Sequence, residues 1–207
     1  MLKDIRIHLA SEDSVQEELE QALSKHIVTN HRNSILAFAR HIPSLLPQVK
    51  KVSTENISLF ANKSGEFNLV DYATGRTVYG IHPQSEIHSQ YQAIKQHAPF
   101  IALNGNNNDR TDNAESDVTT VSEVKDLPSY KKLMSYSPLP VDINVMVVMG
   151  LGLGYHIEAL VKHHNIRHLV IYEPELQYFQ CSVLALNWQR LLQSMESNGS
   201  RVYLLIE

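Results

Sequence analysis

The stretch Val145-Met-Val-Val-Met-Gly-Leu-Gly-Leu-Gly-Tyr155 decides the fold of this chain. Its first five residues form a continuous apolar run of strand length, which is typical of a strand buried on both faces of a parallel sheet. Three glycines at alternate positions follow, and glycine allows the sharp backbone bend that joins a strand to a helix. The stretch therefore predicts a strand, a glycine turn and the start of a helix.

The residues after this turn repeat the alternation of helix and strand. Apolar residues at helical spacing and then short apolar runs predict, in order, a helix over 157–164, a strand over 168–172, a helical stretch over 175–195 that breaks near Asn187, and a strand over 202–206. Strand, helix, strand, helix, strand is half of a doubly wound sheet, for which right-handed crossovers are expected. The segment 139–207 is thus predicted to be the first half of a Rossmann-like nucleotide-binding domain.

The glycine turn is the candidate ligand site. Gly150, Gly152 and Gly154 let a ligand approach the backbone without a Cβ in its way. The helix that follows presents unpaired N–H groups to an anionic group. Glu173 lies at the carboxyl end of the second strand, where an acid can accept hydrogen bonds from a ribose. These features together predict a nucleotide-type ligand.

Tyr155 narrows the choice of ligand, because it stands where the dinucleotide fingerprint has its third glycine. A bulky side chain there argues against NAD or FAD, and the pattern is closer to that of S-adenosylmethionine-dependent methyltransferases. A purely structural interpretation also stays open: the glycines make a tight turn and Glu173 caps a helix begun at Pro174. No residue type or spacing in the chain indicates the catalytic residues.

The N-terminal part has a different pattern. Helical spacing predicts helices over 11–25 and 33–41. Three runs of strand formers at 57–61, 66–71 and 76–81, separated by glycine-containing turns, predict a three-stranded antiparallel meander, with a further helix capped by Ser85. The Asn- and Asp-rich stretch 104–122 predicts a mobile surface loop. The predicted fold is α/β: an N-terminal α+β domain over 1–138, followed by the partial Rossmann-like β-α-β-α-β sheet.

Composition excludes several classes of protein. The 207 residues carry a formal net charge of -4, which gives no basic field for nucleic acid. The apolar run over 143–155 is too short to span a membrane, and the N-terminus is too charged for a signal peptide. A single cysteine, Cys181, fits a reducing compartment. The 11 histidines are scattered without the spacing of metal ligands, so no metal is expected. We expect a soluble cytoplasmic protein.

Several motifs together resemble one family, the motility accessory factors. The central domain of that family, which also covers proteins similar to an archaeal hydroxymethylpterin diphosphokinase, is matched at residues 150–158, 171–175 and 186–188. Its N-terminal β-rich domain is similar to residues 56–60, 65–69, 77–80 and 82–83. The most specific part is Gly154-Tyr-His156 together with Tyr172-Glu-Pro174, and the resemblance covers the chain from about residue 33 onward.

The resemblance implies a flagellin glycosyltransferase. Such proteins transfer a nonulosonic acid from its CMP carrier to serine or threonine of flagellin in the cytoplasm, so the nucleotide-sugar would lie near the glycine turn. A Gly-Pro-Ser-Leu-type motif that the family places after the third strand is missing. We therefore expect a truncated domain pair that is inactive alone. A methyltransferase-like domain that binds S-adenosylmethionine and a non-catalytic module that binds flagellin or another partner are the alternatives.

Overall fold

The computed structural model describes residues 5–53, 55–101 and 134–206. Its helices are α1 (Asp13–His41), α2 (Leu46–Lys50), α3 (Pro83–Gln96), α4 (Tyr155–His163), α5 (Leu176–Ala185) and α6 (Trp188–Ser197). Its strands are β1 (Ile57–Ala61), β2 (Phe67–Asp71), β3 (Arg76–Thr77), β4 (Ala98–Ile101), β5 (Met134–Ser137), β6 (Asp142–Met149), β7 (Asn165–Glu173) and β8 (Arg201–Ile206). Short 3-10 turns cover Ile5–Ile7 and Pro43–Leu45.

The chain forms two compact units, one of Met1–Tyr91 with Pro140–Glu207 and one of Gln92–Leu139. In the smaller unit, β4 and β5 pair antiparallel with Ala98 opposite Ser137. The predicted loop over 104–122 lies outside the described residues. The domain division at residue 138 stays a prediction.

The parallel sheet of the larger unit confirms the predicted β-α-β-α-β order. Its strands lie in the order β6-β7-β8, with Val147 opposite Val170 and Val170 opposite Tyr203. Helix α4 joins the first two strands, and α5 and α6 join the second to the third. This is the predicted half of a doubly wound sheet.

Only one face of this sheet is buried among the described residues. Leu169 and Ile171 of β7 are fully buried, whereas Val145, Val147 and Met149 of β6 are 58%, 59% and 71% exposed. The prediction of a β6 buried on both faces is therefore wrong for the described residues. An apolar run indicates only that a strand is suited to burial, and the elements described here cover one side.

Helix α1 is one continuous helix of 29 residues, where two helices were predicted. Neither glycine nor proline interrupts residues 26–32, so nothing in the backbone ends the first helix. The polar Asn30 in this interval is used for packing: its side-chain amide donates to the carbonyls of Leu184 and Ala185 at 3.1 and 2.9 Å. The polar residues between the two predicted helices therefore do not end the helix, and Asn30 among them contacts the end of α5.

An aromatic cluster fixes α1 against the helices that flank the parallel sheet. Phe38 of α1 lies edge-on to Phe179 of α5 and to Trp188 of α6, with ring centroids 5.6 and 5.2 Å apart. All three side chains are fully buried. The Trp188 indole N–H donates to the hydroxyl of Ser182 at 3.2 Å, which satisfies the polar atom of the cluster.

The meander β1-β2-β3 is antiparallel, as predicted, with Leu59 opposite Leu69. Its third strand is shorter than predicted, because the Val78 N–H makes the last backbone bond to β2, with the Leu69 carbonyl, and a side chain replaces the ladder beyond it. The buried Asn68 donates to the carbonyls of Tyr79 and Gly80 at 3.0 Å each and accepts from the Tyr79 N–H at 3.2 Å. The backbone of Tyr79 is thus fixed on β2. Helix α3 begins at Pro83, two residues before the expected cap Ser85.

Candidate functional site

The glycine turn joins the end of β6 to α4 at the carboxyl edge of the parallel sheet. Gly150, Gly152 and Gly154 have φ of 87°, 50° and 80°, a region that residues with a Cβ rarely adopt. The turn is tied to β7, because the Gly150 N–H donates to the Tyr172 carbonyl at 2.8 Å. Ligands of open α/β sheets bind outside this edge, so the predicted turn lies where a ligand site is expected.

Glu173 is hydrogen-bonded to the glycine turn. Its side chain is 3% exposed, and one carboxylate oxygen accepts from the Leu151 N–H at 2.7 Å while the other accepts from the Glu175 N–H at 3.0 Å. The residue that caps α5 is Glu175, whose carboxylate accepts from the Gln177 N–H at 3.2 Å. A carboxylate has about four acceptor positions, so Glu173 retains lone pairs beyond these two bonds.

Tyr79, which follows the third strand of the meander, also contacts the turn. Its hydroxyl accepts from the Leu153 N–H at 3.1 Å and lies directly against the Cα of Gly152, where an added Cβ would collide with it. Burial is the main cause that raises the pKa of Tyr79, so the phenol stays neutral. The contact with Leu153 joins residues 74 positions apart in the sequence. Sequence reasoning missed Tyr79, since no local pattern indicates such a contact.

A cavity of about 330 Å³ adjoins the turn. That volume is at the lower end of the range for small-molecule sites, about 300–1,000 Å³. Its wall consists of Val78, Met149, Gly150, Gly152, Tyr172, Glu173, Pro174 and Tyr178. Burial raises the pKa of Tyr178, which is therefore also a neutral phenol. The cavity combines an apolar and aromatic wall with a buried carboxylate.

The structure brings three of the five predicted site residues to this cavity and separates two. Gly154 does not line it: a Cβ there would meet the Leu186 side chain at 2.8 Å, so this glycine allows helix α4 to approach the segment between α5 and α6. Tyr155 packs beside the core that contains Leu153, and burial raises its pKa.

Tyr155 also borders a wider depression of about 750 Å³ between α3, α4 and α6. The charged residues in it, among them Glu158, Lys162 and Arg190, lie on the exposed surface. Although Glu158 is exposed, partial loss of water around its carboxyl raises the pKa of Glu158, and the nearby Arg190 partly opposes this shift. Among the described residues, no group of three or more His, Cys, Asp or Glu side chains could hold a metal ion, and no helix is long and apolar enough to cross a membrane.

His156 secures the first glycine of the turn. Its Nε2 lies 3.2 Å from the Gly150 carbonyl, and since a carbonyl only accepts, Nε2 carries the hydrogen. Burial lowers the pKa of His156, which the bond to the Gly150 carbonyl partly offsets. The imidazole is therefore neutral at pH 7 and holds the turn as a hydrogen-bond donor.

We expect this burial to make folding sensitive to acid. Below the unfolded pKa of about 6.5 the unfolded chain binds a proton that the folded chain excludes, so stability is complete above that pH and falls as pH drops through the folded pKa. His156→Gln keeps an N–H donor without the titration, and its free energy of unfolding should fall less than that of the unsubstituted protein between pH 7.5 and 5.5 in urea titrations. His26→Gln, on the exposed side of α1, should retain the original slope. If the free energy of unfolding falls equally with pH in all three proteins, burial of His156 is not the cause of the acid sensitivity.

The comparisons with known proteins agree with this fold. A family model described as the glycosyltransferase Maf N-terminal domain matches residues 31–207. The solved structure of a MAf glycosyltransferase from Magnetospirillum magneticum AMB-1 is similar, with a TM-score of 0.56 and 20% identity. The match covers 89% of this chain and 27% of that one, so this chain spans about a quarter of the solved protein's length. At this identity, the likeness concerns the fold. No curated protein matches the sequence.

Proposed function

Since the chain belongs to the family of the glycosyltransferase Maf N-terminal domain, we propose that it binds the nucleotide of a sugar donor in the cavity beside the glycine turn. The observation that carries this proposal is the convergence of Gly150, Gly152 and Glu173 on one cavity at the carboxyl edge of β6 and β7. The apolar and aromatic wall suits a base, and the free lone pairs of Glu173 suit the hydroxyls of a ribose.

The finer proposal follows the family resemblance. The donor is a CMP-activated nonulosonic acid, the acceptor is a serine or threonine of flagellin, and the reaction takes place in the cytoplasm. The segment 139–207 supplies the first half of the nucleotide-binding domain, and 1–138 is the N-terminal α+β domain, from which Tyr79 contacts the glycine turn. In this proposal the chain contributes the binding of the donor.

The test is calorimetric titration of the 207-residue chain with CMP. We expect binding that Val78→Trp weakens at least about tenfold, because Val78 lines the cavity, is 39% exposed and can carry a larger side chain into it. Val15→Trp is the matched control, since Val15 is 43% exposed on α1 and lies outside the cavity wall, and its affinity should be unchanged.

The same titration separates the alternatives. A heat of binding for S-adenosylmethionine, without one for CMP, would favour a methyltransferase-like domain. No heat with either ligand, together with retention of flagellin by the immobilised chain, would favour a non-catalytic interaction module. Equal CMP affinity for the chain and for Val78→Trp would place the nucleotide outside this cavity.

A further inference from the structure

Two amides of the glycine turn are already bonded within the chain. The Leu151 N–H donates to the Glu173 carboxylate and the Leu153 N–H donates to the Tyr79 hydroxyl. Successive amides in a turn before a helix are the groups that hold anions in nucleotide sites. The side chains that bond them therefore decide which amide an anionic ligand can reach.

The two acceptors differ in strength. The bond from Leu151 is 2.7 Å long and ends on a carboxylate, whereas the bond from Leu153 is 3.1 Å long and ends on a neutral phenol. Bonds to charged acceptors are roughly twice as strong as neutral ones. A phosphate oxygen can therefore replace the hydroxyl of Tyr79 with a gain in bond strength. Replacing Glu173 would give no such gain and would bring two anions together.

The hydroxyl also fills the space that Gly152 leaves open. A Cβ at position 152 would collide with the Tyr79 hydroxyl and lie 3.4 Å from the ring carbon that bears it. The missing side chain of Gly152 is the feature that would let a ligand touch the backbone here. In this structure the phenol of Tyr79 makes that contact.

The backbone of Tyr79 is held independently of its hydroxyl. The buried Asn68 holds the backbone N–H and carbonyl of Tyr79, so the main chain stays in place. The ring itself is only partly buried, at the border of the core cluster that includes Leu153. Moving the hydroxyl off the turn requires a rotation of the side chain and loses one neutral hydrogen bond, the one from the Leu153 N–H.

From these contacts we propose that Tyr79 is a gate of the glycine-turn cavity: its hydroxyl holds the position that an anionic oxygen of the ligand takes on binding. This inference rests on the proposed function and adds the residue that sets the preference between phosphate-bearing and phosphate-free ligands. A nucleoside can enter the cavity beside Glu173 while Tyr79 stays on Leu153. A nucleotide must displace Tyr79.

The test measures the affinities of CMP and of cytidine for the unsubstituted 207-residue chain and for its Tyr79→Phe variant. Removing the hydroxyl frees the Leu153 N–H, so CMP should bind about fivefold more tightly, the equivalent of one neutral hydrogen bond. The affinity for cytidine should stay the same. Tyr72→Phe is the matched control, because it removes an exposed hydroxyl of the same meander, whose partner among the described residues is the Ser58 hydroxyl. It should change neither affinity.

The possible results test the role of Tyr79 separately from the proposed nucleotide site. If Tyr79→Phe binds CMP equally or less tightly while CMP and cytidine still bind the unsubstituted chain, the gate is wrong and the proposed site stands. If Tyr79→Phe loses affinity for CMP and for cytidine to the same extent, Tyr79 only supports the structure of the turn and is not a gate. If neither ligand binds any of the proteins, both proposals fail.

A second measurement does not depend on the variant folding. In nitrogen-15 spectra of the unsubstituted chain, CMP should shift the Leu153 amide, whereas cytidine should leave it in place. A Leu153 amide that CMP does not move would overturn the gate.

Discussion

Glu173→Ala should lower the free energy of unfolding by about 3–6 kcal/mol, since a hydrogen bond to a charged group contributes about 1.5–3 kcal/mol and two are lost. The carboxylate is 3% exposed and bonds the N–H groups of Leu151 and Glu175. With the carboxylate removed, both N–H groups lose the acceptor that they have in this structure. Urea unfolding followed by the fluorescence of Trp188, the single tryptophan of the chain, measures the loss.

Two further variants make this prediction specific. Glu173→Gln keeps one acceptor oxygen, so its free energy of unfolding should fall by about half as much as that of Glu173→Ala. Glu175→Ala removes a carboxylate whose bond in the described part of the chain is the helix cap to the Gln177 N–H, which is worth about 1 kcal/mol. If Glu173→Ala is no more destabilising than Glu175→Ala, the carboxylate does not hold the turn.

The parallel sheet could be predicted because its signals are local. An apolar run, alternating glycines and a helical period lie within a few residues of one another, and the carboxyl ends of adjacent parallel strands meet at one edge. For this reason Gly150, Gly152 and Glu173 converge as predicted. Gly154 does not, because its neighbour Leu186 comes from the segment between α5 and α6, and spacing alone does not indicate which glycine serves packing.

The parts that sequence reasoning missed depend on contacts between distant residues. Asn30 resembles a helix break until its bonds to the end of α5 are known, and β3 stops early because Asn68 takes over the bonds of the ladder. Tyr79 is one aromatic residue in a strand-like run, and its partner is on another element. Periodicity describes one element at a time, so side-chain bonds between elements lie beyond it.

Gly152→Ala should be more destabilising than Gly150→Ala, although both residues have positive φ. An added Cβ at Gly150 has no atom within 4 Å, so its cost is the backbone strain of about 1–2 kcal/mol. At Gly152 the Cβ also collides with the Tyr79 hydroxyl, and displacing that hydroxyl from the Leu153 N–H costs about another 1 kcal/mol. We therefore expect Gly152→Ala to lower the free energy of unfolding by about 2–3 kcal/mol in urea titrations.

A double variant identifies the source of that difference. In the Tyr79→Phe background the colliding oxygen is absent, so Gly152→Ala should cost about as much as Gly150→Ala, with a coupling energy of at least about 1 kcal/mol. Gly150→Ala should cost the same in both backgrounds, because its Cβ enters open space. Additive effects of Gly152→Ala and Tyr79→Phe would mean that the phenol does not rest on the turn. Since the proposed gate requires that contact, additivity would count against the gate through stability alone, without any ligand.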